Sequence, residues 1–162
     1  MRKTNSMRIL EARHISYQAH TFASEVHSAQ EVAGVLGVHP AQVCKTLVVV
    51  REQGCPLLIM VPGDRELDLK ALAAKLGEKK LRMASHKEAE RLTGLQVGGI
   101  SALALLNKGF DIYADQDILS LGRVLVSAGH RGLDLSLRPQ DLLLVTGAQT
   151  IPCTRNEDEE AE

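Results

Sequence analysis

A long, almost wholly apolar stretch covers residues 43–50 and carries a single charge, Lys45. It is rich in β-branched residues and is followed by the turn-forming pair Gln53-Gly54, so it predicts a strand and the first arm of a hairpin. A continuous apolar run of this length is typical of a strand that is covered on both faces. Because side chains alternate along a strand, we expect Lys45, Leu47 and Val49 on one face.

Lys45 is the charged residue that this apolar strand has to accommodate. A buried ammonium group is costly unless it is paired with an anion or reaches water. One interpretation is therefore a lysine that extends to solvent or pairs with a structural carboxylate. The other is a cation at the floor of a pocket for a phosphate, an ester carbonyl or a carboxylate.

Helical and strand patterns interleave along the rest of the chain. Amphipathic stretches, most of them with capping residues or a closing glycine, predict helices over residues 5–13, 28–36, 68–76, 85–93 and 140–145. Short apolar or alternating stretches predict further strands over residues 15–22, 57–61, 81–83, 110–113, 123–127 and 133–137. Because the connections include hairpins, the pattern predicts a mixed α/β fold with a partly curled sheet and helices outside it.

Two glycine-containing segments are candidates for ligand contact. In residues 97–101, two glycines precede a hydroxyl residue, which permits a tight loop whose N–H groups point at an anion, although Gly-Gly is most often an ordinary turn. Residues 127–132 join two predicted strands, and the simplest interpretation is a glycine hairpin with His130 and Arg131 exposed. The sequence holds no GxGxxG or Walker pattern, so dinucleotide and Walker-type phosphate binding are not supported.

Length and charge bound the remaining possibilities. The 162 residues predict one domain over residues 1–152 and an acidic, disordered tail over residues 153–162. Five of the 20 acidic residues lie in the last six positions, so the rest of the chain has 15 acidic residues against all 19 basic residues. That balance permits a polyanionic ligand without requiring one. With two Tyr, two Phe and no Trp, an aromatic platform for stacked bases is not expected.

The cysteines and the N-terminus indicate the compartment. Three cysteines without a CxxC spacing predict reduced thiols, a cytoplasmic protein and no cysteine-based metal site. His20 and His27 lack the HxxxH or HxH spacing of a metal site, so we expect no metal and no cofactor. Residues 1–7 lack the apolar core of a signal peptide, and no run approaches the ~20 apolar residues of a membrane span, so no membrane partner is expected.

Three stretches together resemble the YbaK/EbsC group of prolyl-tRNA-synthetase-associated editing domains. They are Gln-Val-Cys-Lys-Thr-Leu-Val at 42–48, Val-Gly-Gly-Ile-Ser at 97–101 and Val-Ser-Ala-Gly-His-Arg-Gly-Leu-Asp at 126–134. The likeness extends over residues 7–148. It implies a barrel-like mixed sheet flanked by helices and a metal-independent trans-editing hydrolase. Such a hydrolase cleaves a wrong amino acid from mischarged tRNA, most typically cysteine from the proline tRNA, and prolyl-tRNA synthetase is a candidate partner.

The resemblance also implies roles for individual residues. It makes Lys45 the catalytic lysine and assigns the glycine loop to Gly98, Gly99, Ile100 and Ser101. It assigns substrate binding to Phe22, Thr46, Ser127, Gly129, His130 and Asp134. In this hypothesis Lys45 holds the terminal phosphate or ribose and stabilises the oxyanion, and the N–H groups of the loop share that charge, at about 3 kcal/mol for one donor.

Water or the thiol of a cysteinyl substrate would then attack the ester, since a thiolate is the better nucleophile near neutral pH. Cys44 is a weaker candidate for the nucleophile, because alternation points its side chain away from the face of Lys45. Asp134 would hold the substrate amino group or pair with Lys45.

Several positions depart from the family pattern. Ala102 stands where the family loop has proline, Phe22 where it has tyrosine, Cys44 where an aromatic residue is common and His130 where close relatives have lysine. The alternatives therefore include a deacylase for another small amino acid and a non-catalytic module that binds aminoacyl-tRNA or a synthetase. A phosphate-binding protein unrelated to translation is the least supported, because no phosphate-loop pattern is present.

Overall fold

The computed structural model describes residues 2–157 and confirms a mixed α/β fold. The helices are α1 (Asn5–Ala12), α2 (Ala29–Leu36), α3 (Leu69–Leu76), α4 (His86–Thr93) and α5 (Pro139–Thr146). The strands are β1 (Gln18–Thr21), β2 (Cys44–Arg51), β3 (Leu57–Pro62), β4 (Arg65–Leu67), β5 (Leu81–Met83), β6 (Asp111–Asp115), β7 (Val124–Ser127), β8 (Leu133–Leu137), β9 (Gln149–Ile151) and β10 (Thr154–Asn156).

The helix ends follow the predicted capping residues. The hydroxyl oxygens of Ser28 and Ser85 accept hydrogen bonds from the N–H groups of Glu31 and Glu88, each at 3.1 Å. Asp68 caps α3 in the same way. Each of these bonds satisfies a helix N–H group that has no partner inside the helix. Four helices end at a glycine in the left-handed conformation: Gly37, Gly77, Gly94 and Gly147.

The strands form three sheets, in the orders β5-β2-β3-β6-β9, β1-β8-β7 and β10-β4. A parallel bridge between Val43 and Leu125 connects the first two sheets. Strand β5 pairs with residues 49–51 of β2, so the first half of β2 remains an edge on that side. The described strands therefore form open sheets, where the sequence had predicted a barrel-like one.

The hairpin arms β2 and β3 lie at the centre of the core. Val48 and Leu58 pack in one apolar cluster, and Val49 and Ile59 pack in another. Because successive side chains point to opposite faces, these two clusters cover both sides of the hairpin. The interpretation of residues 43–50 as a strand covered on both faces is confirmed in this half of β2.

Three short strands, β4, β9 and β10, were not predicted. Strand β10 pairs with β4, and Arg65 of β4 donates hydrogen bonds of 2.7 Å to Thr154 Oγ1 and Asn156 Oδ1. The prediction of disorder from residue 153 is therefore wrong for residues 153–157, because cross-strand contacts order a segment whose sequence is polar. The remainder of the predicted tail, residues 158–162, lies outside the described residues. Among the helices described, none is long and apolar enough to cross a membrane.

Candidate functional site

A cavity of about 420 Å³ lies along the edge of β2. The start of α2, the end of β5, helix α4, the glycine loop and strands β7 and β8 surround it. Its lining includes six of the predicted site residues: Lys45, Thr46, Gly98, Ile100, Ser127 and Asp134. The tertiary fold thus brings together side chains from three separate parts of the sequence.

Lys45 of β2 contributes a positive charge to the lining of this cavity. Its side chain is half-buried, and Lys45 lies opposite Val61 in the β2–β3 ladder. Within residues 2–157, no ion pair or hydrogen bond involves its ammonium group. No described carboxylate therefore pairs with Lys45, and the residue lines the cavity.

Strand pairing brings Ser127 and Asp134 together beside the start of β2. Val43 and Leu125 form an isolated parallel bridge, which places the start of β2 next to β7. Ser127 lies directly opposite Asp134 in the β7–β8 ladder. Residues opposed in this way project from the same face of the sheet. One lysine, one serine and one aspartate from three strands therefore line the same cavity.

Burial changes the acidity of two groups in the cavity wall. Asp134 is 6% exposed, and removal from water raises the pKa of its carboxyl group to about 6. Burial also raises the pKa of the Cys44 thiol to about 12, and the negative charge of Asp134 acts in the same direction. Cys44 thus remains a protonated thiol at neutral pH, which makes it a poor nucleophile.

The glycine loop is fixed by close packing at both glycines. A Cβ atom at Gly98 would lie 2.5 Å from His27 Cβ, and one at Gly99 would lie 2.8 Å from His130 Cα. The Gly99 N–H group donates to Gln96 O at 2.8 Å, so this amide is already used inside the turn. The N–H groups of Gly98 and Ile100 make no hydrogen bond within residues 2–157, and both residues line the cavity.

Two hydrogen bonds hold the glycine loop at Val97 and at Ser101. Arg131 donates from Nε to Val97 O at 2.7 Å, and the buried Ser101 accepts from the Ala104 N–H group at 3.4 Å. Ala102 has φ −62°, a value that proline also adopts. The alanine therefore keeps a backbone conformation that suits the family proline.

Five predicted site residues lie outside the cavity lining: Phe22, Gly99, Ser101, Gly129 and His130. Phe22 packs against the apolar cluster under α2. The Ser127 hydroxyl accepts from the Gly129 N–H group at 3.2 Å and donates to His130 O at 3.5 Å, so it also holds its own turn. The exposed His130 ring has Nδ1 2.9 Å from Arg131 O. These five residues therefore belong to the packing and the turns around the cavity and do not line it.

Other residues of the lining were not predicted. His27, which precedes the cap of α2, lines the cavity beside Gly98, and Met83, His86 and Glu157 line it as well. No local pattern marks them, since only the packing of distant segments brings them to one cavity. Among residues 2–157, no three His, Cys, Asp or Glu side chains are grouped so that they could hold a metal ion.

Comparisons with known proteins agree on one family. The model for an aminoacyl-tRNA editing domain matches residues 23–144. The chain is 38% identical to an Enterococcus faecalis protein, EbsC, named as a candidate Cys-tRNA(Pro)/Cys-tRNA(Cys) deacylase, over 96% of this chain and 95% of that protein. It is 32% identical to the proline–tRNA ligase of Aquifex aeolicus over 49% of this chain and 14% of the ligase.

A solved structure supports the same relationship. It is described as a candidate trans-editing enzyme for prolyl-tRNA synthetase, and it superposes with a TM-score of 0.79 at 28% identity. The match covers 96% of this chain and 100% of that structure.

Proposed function

The chain belongs to the family of aminoacyl-tRNA editing domains, and on that basis we propose that it hydrolyses mischarged tRNA in trans, with Cys-tRNA(Pro) as its substrate. The relative from E. faecalis is named for this reaction, and this chain covers nearly all of it. The observation that carries the proposal is the half-buried Lys45, which has no ion pair within residues 2–157 and lines a cavity together with Gly98 and Ile100.

Lys45 and the glycine loop act on the developing negative charge. When a nucleophile attacks the ester carbonyl, its oxygen becomes an oxyanion. The Lys45 ammonium stabilises this charge electrostatically, and the N–H groups of Gly98 and Ile100, which have no partner among the described residues, donate to it as well. One such donor is typically worth about 3 kcal/mol in the transition state. The Gly99 amide takes no part, because it is bound within its turn.

The substrate supplies the nucleophile. In Cys-tRNA(Pro), the cysteinyl sulfur forms a bond to the carbonyl carbon, the bond from that carbon to the tRNA 3′ oxygen breaks, and that oxygen takes the proton of the thiol. Water then adds to the carbonyl carbon of the resulting four-membered thiolactone, the carbon–sulfur bond breaks, and free cysteine is released. A thiol is partly ionised near neutral pH and is a strong nucleophile, whereas Cys44 of the protein is held protonated by burial. A cysteinyl ester is then cleaved faster than one whose side chain lacks sulfur.

Asp134 and Ser127 orient the aminoacyl group. The carboxylate of Asp134 faces the α-ammonium of the substrate, and the Ser127 hydroxyl lies opposite it in the sheet. The excess of basic over acidic residues is small, so tRNA affinity is modest and falls with salt. Prolyl-tRNA synthetase, which has a related segment in the A. aeolicus enzyme, is the proposed partner that presents the substrate. The unpaired thiols and this substrate support a cytoplasmic location.

The proposal is tested by deacylation of Cys-, Ser- and Ala-tRNA(Pro) with and without a chelator. We expect wild type to release cysteine fastest, and Lys45→Ala to lose about 100-fold or more in rate, as for loss of an oxyanion donor. Lys75→Ala, at an exposed position of α3, is the matched control and should keep wild-type rates.

Full activity in Lys45→Ala would remove this residue from the mechanism. Hydrolysis of Ser-tRNA(Pro) as fast as Cys-tRNA(Pro) would exclude attack by the substrate thiol. Loss of activity with chelator would show that the reaction needs a metal.

A further inference from the structure

The cavity continues from Lys45 towards β5, where a methionine is exposed in its wall. Met83 is 40% exposed and lies opposite Val49 in the β2–β5 ladder. Opposed residues of antiparallel strands project from the same face, and Lys45, Leu47 and Val49 alternate onto that face. Four residues separate Lys45 from the level of Met83, which is about 13 Å at 3.3 Å per residue. Leu47 lines the cavity between them.

The two ends of this cavity differ in charge. Its carboxylates, Asp134 and Glu157, come from β8 and from the end of β10, and neither strand pairs with β5. The β5 end is lined instead by Met83, Ala84, His86 and Ala89. One end of the cavity is therefore suited to an ammonium group, and the other presents a wall that is mostly apolar and carries one histidine ring.

Three lysines lie next to β5 or in α4, outside the cavity lining. Lys79 and Lys80 come immediately before β5, Lys87 lies in the first turn of α4, and all three are exposed. None of them takes part in an ion pair within residues 2–157. Arg82, by contrast, donates to both carboxylate oxygens of Glu88, at 2.7 and 2.9 Å. Lysines close to an apolar wall suit a nucleotide ligand, because lysine attracts the phosphate groups and the apolar wall packs against the base.

We propose that the β5 end of the cavity binds the terminal adenine of tRNA, with the thioether side chain of Met83 against the face of the base. This inference rests on the proposed function and gives the substrate an orientation. The ester lies at Lys45, the α-ammonium points towards Asp134, and the preceding phosphates pass Lys79 and Lys80. Methionine is unbranched and polarisable, so it adapts to a flat ring.

The test measures binding, which does not depend on hydrolysis. The probes are two labelled RNA hairpins of the proline acceptor stem, one ending in CCA and one ending in CC, at low ionic strength. We expect wild type to prefer the CCA hairpin about tenfold, the effect of one stacked base. Met83→Ala should reduce this preference to about twofold and leave binding of the CC hairpin unchanged. Leu119→Ala is the control, because Leu119 is 41% exposed and lies outside the cavity lining.

The outcomes separate this inference from the proposed function. If Met83→Ala keeps the full preference for CCA, or weakens both hairpins equally, adenine does not bind at Met83. If wild type prefers CCA and Met83→Ala does not, while no aminoacyl-tRNA is hydrolysed, the adenine site stands and the deacylase function fails. Met83 is partly exposed, so its truncation should leave the thermal midpoint close to that of Leu119→Ala.

Discussion

Asp134→Asn is expected to make the protein more stable at neutral pH and less active. The Asp134 carboxyl group is 6% exposed, and within residues 2–157 it receives no hydrogen bond and no ion pair. Its pKa is raised from 3.8 to about 6, and the cause is burial. Ionisation of this buried carboxyl group therefore lowers the free energy of unfolding by about 3 kcal/mol.

The sign of the pH dependence follows from this shift. Below pH 3.8 the carboxyl group is protonated in both states, so it costs nothing. Between pH 3.8 and about 6 the unfolded chain ionises while the native state keeps its proton, so stability falls as pH rises. Above about pH 6 the full cost is present. Asparagine does not ionise, although its unpaired amide adds a cost of about 1–3 kcal/mol that does not change with pH.

The assay is urea unfolding of wild type and Asp134→Asn at pH 4, 5, 6 and 7. We expect the stability of the variant relative to wild type to rise by about 2.4 kcal/mol from pH 4 to pH 7, because the unfolded carboxyl group is already more than half ionised at pH 4. Deacylation of Cys-tRNA(Pro) at pH 7 should fall, because the carboxylate that faces the α-ammonium is lost.

Asp115→Asn is the matched control for this experiment. Asp115 is also buried, but it accepts hydrogen bonds from the N–H groups of Asp117 and Cys153 at 3.1 and 3.0 Å. Its substitution should destabilise the protein at pH 7, since bonds to a charged acceptor are lost. A pH-independent difference for Asp134→Asn, or a loss of stability at pH 7 equal to that of Asp115→Asn, would refute the argument from burial.

Two further substitutions test the wall of the cavity. Gly99→Ala should lower deacylation at least tenfold and reduce stability by about 1–3 kcal/mol, because its Cβ would lie 2.8 Å from the His130 backbone. At Gly34 in α2 a Cβ meets nothing within 4 Å, so Gly34→Ala should instead stabilise the protein by about 0.5–1 kcal/mol. Equal effects of the two substitutions in urea unfolding would contradict the close packing at Gly99. Cys44→Ala should keep deacylation within about threefold of wild type, since the buried thiol has a pKa of about 12 and is not the nucleophile. Iodoacetamide should label Cys55 well before Cys44, and a 100-fold loss of activity in Cys44→Ala would return that thiol to the mechanism.

The helices could be predicted because their signals are local. Ser28, Asp68 and Ser85 mark helix starts through hydrogen bonds that span three residues, and the glycines that follow mark the ends. Strand β2 was equally clear, because its apolar residues require burial wherever they lie. The strands β4, β9 and β10 were missed, since each has three residues and depends on a partner strand distant in sequence.

The candidate site was predictable in part. Lys45 could be identified because a charge within an apolar strand needs an explanation, and the resemblance to a family pointed to the glycine loop and to Asp134. The lining residues Met83 and Glu157 carry no such signal. The hydrogen bond from the Gly99 N–H group to Gln96 O likewise depends on the folded conformation of the loop and has no sequence signal.

The sequence by itself determined where the helices and the longer strands form, which faces are apolar, and that a lysine had to be accommodated in the apolar strand β2. These properties depend on neighbouring residues and on the alternation of side chains. Only the tertiary structure decided what Lys45 faces. The bridge from Val43 to Leu125 joins the start of β2 to the sheet that carries Ser127 and Asp134, and the short pairing of β5 with β2 leaves an open edge for the cavity that all three residues line. Register between distant strands is set by packing of the whole chain, which no local pattern contains.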